Sequence, residues 1–428
     1  MSLARRTLAA ALAGALALHA GAPALAQEQK ATVVFQDVGP ERDAFNEEVV
    51  RRFEAEHPDI DVRYNWIANE PYKTGIKVML ESNSPPDVYF VWAGSFSSDF
   101  VDSGVAEDVS ASRARGDAWT RGATDAITDQ FLYQGGLYGV PAEIYTKVFW
   151  KNDAFFARHG LEAPRTIGET VRLCRRIRSI DRKVTPISFG GSESWTISHY
   201  VTMLFQRHVD RATLDADYQL RSGRDALFTD PGYVAALEDL KRLEAAGCFN
   251  KGINSMDPGV SRTMFAIDLA AMTFCGSWCP PVFDADGAGP YSPFPFPAVE
   301  GGRGDQRAAL VGVQGYQLSA KSKVQDEAMV FLNYLLSPDT QALLARMAGQ
   351  LPANASALRD GDLPAVSMTL LDLVAEAPSS VPPVNTVLEV SVGDVVLKSG
   401  QDFLAGTIDA KGFMDRVRRQ ALRAKARS

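Results

Sequence analysis

The 428-residue sequence predicts an α/β protein of two lobes, each a mostly parallel sheet flanked by helices, with a helical C-terminal part. Three observations predict it. Over the first hundred residues, β-rich runs alternate with stretches of helical periodicity, the pattern of βαβ units and a largely parallel sheet. Once a leading segment is set aside, about 400 residues remain, more than a single ordinary core holds. The last hundred residues are helical in pattern, interrupted by Pro352, Pro364 and the prolines from Pro378 to Pro383.

Residues 1–26 read as a targeting segment. Arg5 and Arg6 supply a basic start, residues 7–18 an apolar run, and Ala24-Leu25-Ala26 a small-x-small cleavage site. The run is too short for a permanent span, which favours cleavage over anchoring. The flanks of the paired arginines match a twin-arginine signal poorly, so the general export route is expected. No Cys stands at the cleavage point to take a lipid. Export to the periplasm is the expectation.

The formal net charge is −8, and more acidic once Arg5 and Arg6 are gone. That balance counts against nucleic acid or anionic lipid as a partner. The basic C-terminal run from Arg416 to Arg427 reads as the solvated face of a last helix. Four cysteines, Cys174, Cys248, Cys275 and Cys279, are expected bridged in an exported chain, and they allow three pairings. Joining Cys275 to Cys279 would stiffen the loop around Trp278 and leave Cys174 with Cys248. A metal site is disfavoured because C-x-x-x-C lacks a matching second half and no His lies close by. No cofactor is expected.

In order along the chain, residues 32–35, 60–66 and 87–92 read as strands, and 41–56 and 72–82 as helices. His57-Pro58 stops the first helix. In parallel sheets, ligands sit beyond the carboxyl ends of strands. The loops starting at Gln36-Asp37, Ile67-Ala-Asn69 and Ala93-Gly-Ser95 are therefore candidate site loops. Residues 145–150 form a β run after two turn signals, and 152–160 a short helix ending in Gly160. Thr166 and Glu169 form a capping box for a helix that turns Val171, Leu173 and Ile177 inward. Residues 185–189 read as a strand, 231–246 as an amphipathic helix, 311–319 as β and 325–336 as a helix. Ser292-Pro-Phe-Pro-Phe-Pro297 is too proline-rich for an internal strand and suits an extended connection between lobes.

Two strand ends carry a tryptophan on a Gly-rich loop. The apolar run 269–274 is followed by Cys275-Gly-Ser-Trp278, and the strand 185–189 by Gly190-Gly-Ser-Glu-Ser-Trp195. An indole offers a sugar an apolar face while its N–H still donates. The competing expectation is that each ring fills a core. Repetition of the theme favours ligand stacking.

With these pieces in order, the chain resembles the extracellular solute-binding proteins of the carbohydrate-uptake type (family 1, maltose-binding-protein-like), receptors of ABC importers. The marks are Ser84-Pro-Pro-Asp-Val-Tyr-Phe-Val-Trp-Ala-Gly94, Gly136-Leu-Tyr-Gly-Val-Pro141 and Phe149-Trp-Lys-Asn-Asp-Ala-Phe155 with Pro164-Arg-Thr-Ile-Gly-Glu169. To these are added Thr185-Pro-Ile-Ser-Phe-Gly-Gly191, Ala270-Ala-Met-Thr-Phe-Cys-Gly-Ser-Trp278 and Phe331-Leu-Asn-Tyr-Leu-Leu-Ser-Pro338. Each motif is weak alone; their order and spacing carry the resemblance across nearly the whole chain.

The resemblance implies a sugar held between two lobes joined by crossing segments. One lobe would comprise residues 27–140 and about 296–348, the other 141–295 and about 349–428. The crossings would lie at 138–142, at 294–298 and near Gln350. It further implies that Trp278 of the Gly276-x-Trp motif stacks on sugar and that Trp195 takes another position in the cleft. A carbohydrate ligand, membrane permease subunits as partners and a monomeric state follow from it. Polar contacts are read from position. Glu143 is expected to accept from sugar hydroxyls, against a surface salt bridge. Asp37 either does the same or forms an Asx turn. Trp92 and Tyr145 are cleft aromatics or core, and Gln314 donates and accepts near a crossing. Trp66, Trp119 and Trp150 are left to packing.

The rival from another class is a secreted glycoside hydrolase. No G-x-S-x-G elbow and no H-E-x-x-H occurs, but two carboxylates suffice for a glycosidase. A third expectation keeps the fold and binds a polyamine, phosphate ester or metal chelate.

Overall fold

Residues 140–152 form one 13-residue strand in which every residue except Lys151 is buried. A strand buried on both faces along such a length must run through the middle of the molecule. The architecture follows from that position. The computed structural model describes residues 30–355, 358, 361 and 363–427, so the expected targeting segment lies outside the described residues.

In chain order the strands are β1 (Ala31–Val38), β2 (Ile60–Ile67), β3 (Val88–Trp92), β4 (Leu132–Tyr133), β5 (Gly136–Leu137), β6 (Val140–Asn152), β7 (Thr185–Ser188), β8 (Ala270–Gly276), β9 (Tyr291–Phe294), β10 (Ala309–Leu318), β11 (Leu351–Pro352) and β12 (Ser380–Val381). The main sheet runs β2-β1-β3-β10-β6-β8-β7. Its outer parts are parallel: β1 pairs with β2 and β3, and β7 with β8. The centre is antiparallel, because β10 lies against both β3 and β6, and β6 against β8. Two separate sheets were the expectation. One continuous sheet forms instead, since β6 and β10 are each long enough to serve both lobes.

Each lobe has its own core. Phe35, Phe53, Tyr72, Phe90 and Phe331 belong to the first. Phe149, Tyr200, Phe205, Tyr233, Phe274 and Phe413 belong to the second, with a smaller cluster around Trp150, Phe265 and Phe283 beside it. The helices Val390–Leu404 and Ala410–Lys425 close the second core, so the expected helical C-terminal part serves that lobe.

The proline-rich segment departs from expectation. Tyr291–Phe294 is a strand that pairs with β6 where β10 leaves off. Pro293 is tolerated because β9 has β6 as its one strand partner. Phe294, Phe296, Val299, Ala308 and Leu310 all pack in the second core, while Tyr316 and Leu318 pack in the first. The chain thus passes from the second core to the first within β10, after the expected crossing at 294–298. A bulge between Gln314 and Gly315 marks the place. Trp119 and Trp150 are buried, but Trp66 is 39% exposed on the edge strand β2, contrary to a packing role.

Local chemistry sets the helix ends near the second core. Thr166 accepts from the Glu169 N–H at 3.1 Å, and the Glu169 carboxylate accepts from the Arg165 N–H at 2.7 Å. This is the expected box with its return bond one residue early. Disulfides join Cys174 to Cys248 and Cys275 to Cys279. The first spans 74 residues and ties the helix Ile167–Ile180 to the end of Pro231–Ala245. A loop of that size constrains the unfolded chain strongly. Replacing Cys174 and Cys248 together by Ala is expected to lower unfolding free energy by about 2–4 kcal/mol, read by guanidinium denaturation. An unchanged midpoint would show that the bridge is dispensable.

Candidate ligand-binding cleft

The ends of β1, β2 and β3 and the strand-end loops of the second lobe open on a common cleft of about 540 Å³. Its first wall comes from the turn after β1 (Gly39 to Arg42), from Ala68 and Asn69 after β2, from Lys73 and Lys77, and from Trp92, Ser95 and Phe96 after β3. Its second wall comes from Tyr145, Glu193, Trp195, His199, Arg262 and Trp278. Gln314 of β10 and Gln350, just before β11, also line the cleft. Val390, Asp394 and Leu397 contribute one face of the helix Val390–Leu404.

Trp278 stands where β8 ends. The Ser277 N–H donates to the Thr146 carbonyl at 2.9 Å, fixing the loop to β6, and the Cys275–Cys279 bridge closes it. The indole then folds back over Gly276. A Cβ at Gly276 would lie 2.0 Å from the ring, so only glycine leaves room for it. This is the physical content of Gly-x-Trp here: Gly276, expected among the ligand contacts, lies under the ring and is not among the residues that line the cleft. Trp195 sits in the first turn of the helix Ser194–His208, with its Nε1–H donating to Glu193. Its ring meets Trp278 edge to face with centroids 6.0 Å apart, and Tyr145 meets Trp278 at 5.8 Å. Opposite them, Trp92 packs against both cores and meets Phe96 at 5.2 Å.

The two expected carboxylate acceptors lie beneath the floor. Asp37 is fully buried and accepts from Arg42, Asn46, Tyr316 and its neighbour's Val38 N–H. With those donors in place it stands below the cleft lining, and the Gly39 N–H donates to the Ile67 carbonyl in place of the expected Asx turn. Glu143 is buried as well; its Oε1 accepts from Arg42 and, at 2.5 Å, from Gln314. It lies outside the cleft lining, and its ion pair with Arg42 is buried, not at the surface. Arg42 and Gln314 are the groups that face the cleft in their stead. Burial drives the Glu143 carboxyl up to about 7, against the pull of Arg42. Burial would also lower Arg42, but Asp37 and Glu143 outweigh it and hold the guanidinium above its ordinary value.

Several lining groups carried no signal in the sequence. Arg262 is presented by the helix Pro258–Ala266, whose start is capped by Asp257. It reaches Glu41 of the opposite wall at 3.5 Å. Lys147, on β6, places its ammonium 5.0 Å from the Trp195 ring centroid and 4.8 Å from that of Phe274. Burial, then Arg262, lowers its pKa to about 7. Such contacts return about 0.5–2 kcal/mol, less than the several kcal/mol that burying an ammonium costs. His199 is held well below its usual pKa by burial and by Lys147, so it stands neutral at pH 7. A proline, aspartate and glycine at 257–259 announce a helix start; nothing in residue type announces that Arg262 and Lys147 meet.

Across residues 38–342 the chain matches the model of the bacterial extracellular solute-binding proteins. The chain belongs to that family. Membership in this family of binding proteins sets aside the hydrolase expectation. Among its relatives, a multiple sugar-binding protein of Streptococcus mutans is 24% identical over 72% of each chain. An uncharacterized ABC transporter extracellular-binding protein of Pyrococcus horikoshii is 32% identical, and that match spans only 37% of each chain. A solved chitin oligosaccharide binding protein shares the fold with a TM-score of 0.83 at 18% identity, covering 93% of this chain and all of the other. None of the described helices is long and apolar enough to cross a membrane.

The Glu143 carboxyl supplies a pH test of the floor. Its folded pKa, about 7, exceeds the ordinary 4.5. The folded state thus binds the extra proton between those values, and its contribution to stability is lost as pH rises through 7. Relative to Glu143→Gln, the wild type is expected to lose stability from pH 4.5 to 7.5 in parallel thermal melts. Parallel pH profiles for the two proteins would contradict this assignment.

Proposed function

We propose that this family member is the periplasmic receptor of an ABC importer, binding a sugar or short oligosaccharide in the cleft and delivering it to membrane permease subunits. The observation that carries the reading is the pair of facing aromatic walls, Trp195 and Trp278 against Trp92 and Phe96, above a polar floor. Flat rings hold the C–H faces of sugar rings, and amide and charged groups take hydroxyls. Arg42, Asn69, Gln314, Gln350 and Asn385 line the cleft and suit the second task. The names of the streptococcal relative and the chitin oligosaccharide binding protein support a carbohydrate over a polyamine, phosphate ester or chelate. Export with removal of residues 1–26 accords with the extracellular family.

Thermal-shift screening of the mature protein against mono- and oligosaccharides tests this directly. A ligand at a hundred times its Kd is expected to add about 2.7 kcal/mol of stability. Replacing Trp278 by Ala is expected to weaken that ligand at least about tenfold, roughly 1.4 kcal/mol, with a smaller change in the ligand-free midpoint. Collapse of the apo protein with affinity retained would return Trp278 to the core.

A further inference from the structure

Beside Trp195 the cleft continues into a small cavity of about 20 Å³. Its lining holds two cationic side chains, Lys147 and Arg262, and no carboxylate. Lys147 is 4% exposed, yet among the described residues its ammonium has no hydrogen-bond or ion-pair partner. Arg262 contacts Glu41 only through a terminal nitrogen, and its buried Nε–H is unpartnered. The Ser188 hydroxyl in the same lining is buried and unpartnered too. Three donor groups, the Lys147 ammonium, the Arg262 guanidinium and the Ser188 hydroxyl, border a space whose lining carries no anion. Buried charges are normally paired, and buried donors normally bonded.

We propose that the ligand is an acidic sugar, and that this cavity receives its carboxylate between Lys147 and Arg262. The inference rests on the sugar reading and narrows it. A cavity of this size admits a water or the oxygens of one exocyclic carboxylate, not a pyranose ring or a four-oxygen phosphoryl group. A water would satisfy donors but bring no charge. A carboxylate gives both, and charge-assisted hydrogen bonds to ammonium and guanidinium are the strong ones. The position also fits: the cavity shares Trp195, Trp278 and Arg262 with the cleft, so a ring stacked on the indoles would carry its exocyclic group toward Lys147.

Isothermal titration of the mature protein with matched pairs tests the proposal: galacturonate and galactose oligosaccharides, glucuronate and glucose counterparts, the uronate methyl esters, and glucose 6-phosphate. In at least one pair the acid is expected to bind ten times more tightly than its neutral or esterified partner. Lys147→Met and Arg262→Gln are each expected to cut that acid-to-neutral ratio at least tenfold. Should Lys147→Met fail to fold, the wild-type ratio and Arg262→Gln still decide. Neutral sugars binding as well as acids, a ratio unmoved by the substitutions, or a preference for the phosphate would overturn the carboxylate site and leave the sugar receptor standing. Binding of no sugar in either form would remove both.

Discussion

Arg42 is the constraint on which the rest depends. It lies buried, with Asp37 from the end of β1 on one side and Glu143 from β6 on the other. Gln314 from β10 completes the set through Glu143, and the guanidinium also stands 4.6 Å over the Phe90 ring. Burying these charges costs several kcal/mol each, so the cluster persists only with its partners in place. Its members come from the first lobe and from both crossing strands. The bonds therefore fix where the strands pass beneath the cleft, and specificity of geometry is what the desolvation cost secures.

A firm floor contrasts with a lightly joined mouth. Across it, Arg262 and Glu41 meet at 3.5 Å with both side chains partly exposed, and Ser95 donates to the Thr386 carbonyl at 3.0 Å. Close approach there demands glycine at 94, which has φ of 103° and would place a Cβ 2.2 Å from the Thr386 oxygen. Partly exposed pairs contribute little. The contacts across the mouth thus hold the walls together far less firmly than the Arg42 cluster holds the floor. A ligand that touches both walls adds what the mouth lacks.

The strands and helices of the first lobe were legible because each carries an unambiguous period and an end signal, as in residues 41–56 before His57-Pro58. That Trp195 and Trp278 stand beside the cleft was legible because Gly-rich loops at strand ends leave large rings few places to go. β6 was legible only in its middle, residues 145–150, since a strand buried on both faces shows no alternation to mark its ends. The passage between cores within β10 went unread because the prolines before it advertise an extended chain but not which core it serves. Asp37 and Glu143 were read as ligand contacts for a similar reason: residue type reports charge, while the partners that bury it, Arg42 and Gln314, come from distant segments.

Arg42 and Lys147 set the same problem and receive opposite provision. Both are cations within the fold at the cleft, and both are nearly inaccessible to solvent. Around Arg42 two carboxylates are in contact, and the guanidinium is held charged. Around Lys147 there are aromatic faces and a second cation, and its pKa falls to about 7. Stability alone favours the first arrangement or an apolar residue; it does not favour an ammonium without an anion. A fold that neutralises one buried charge so completely and leaves another without an anion accords with the carboxylate site proposed above. Arg42 holds the strands, and Lys147 waits for whatever enters between Trp195 and Trp278.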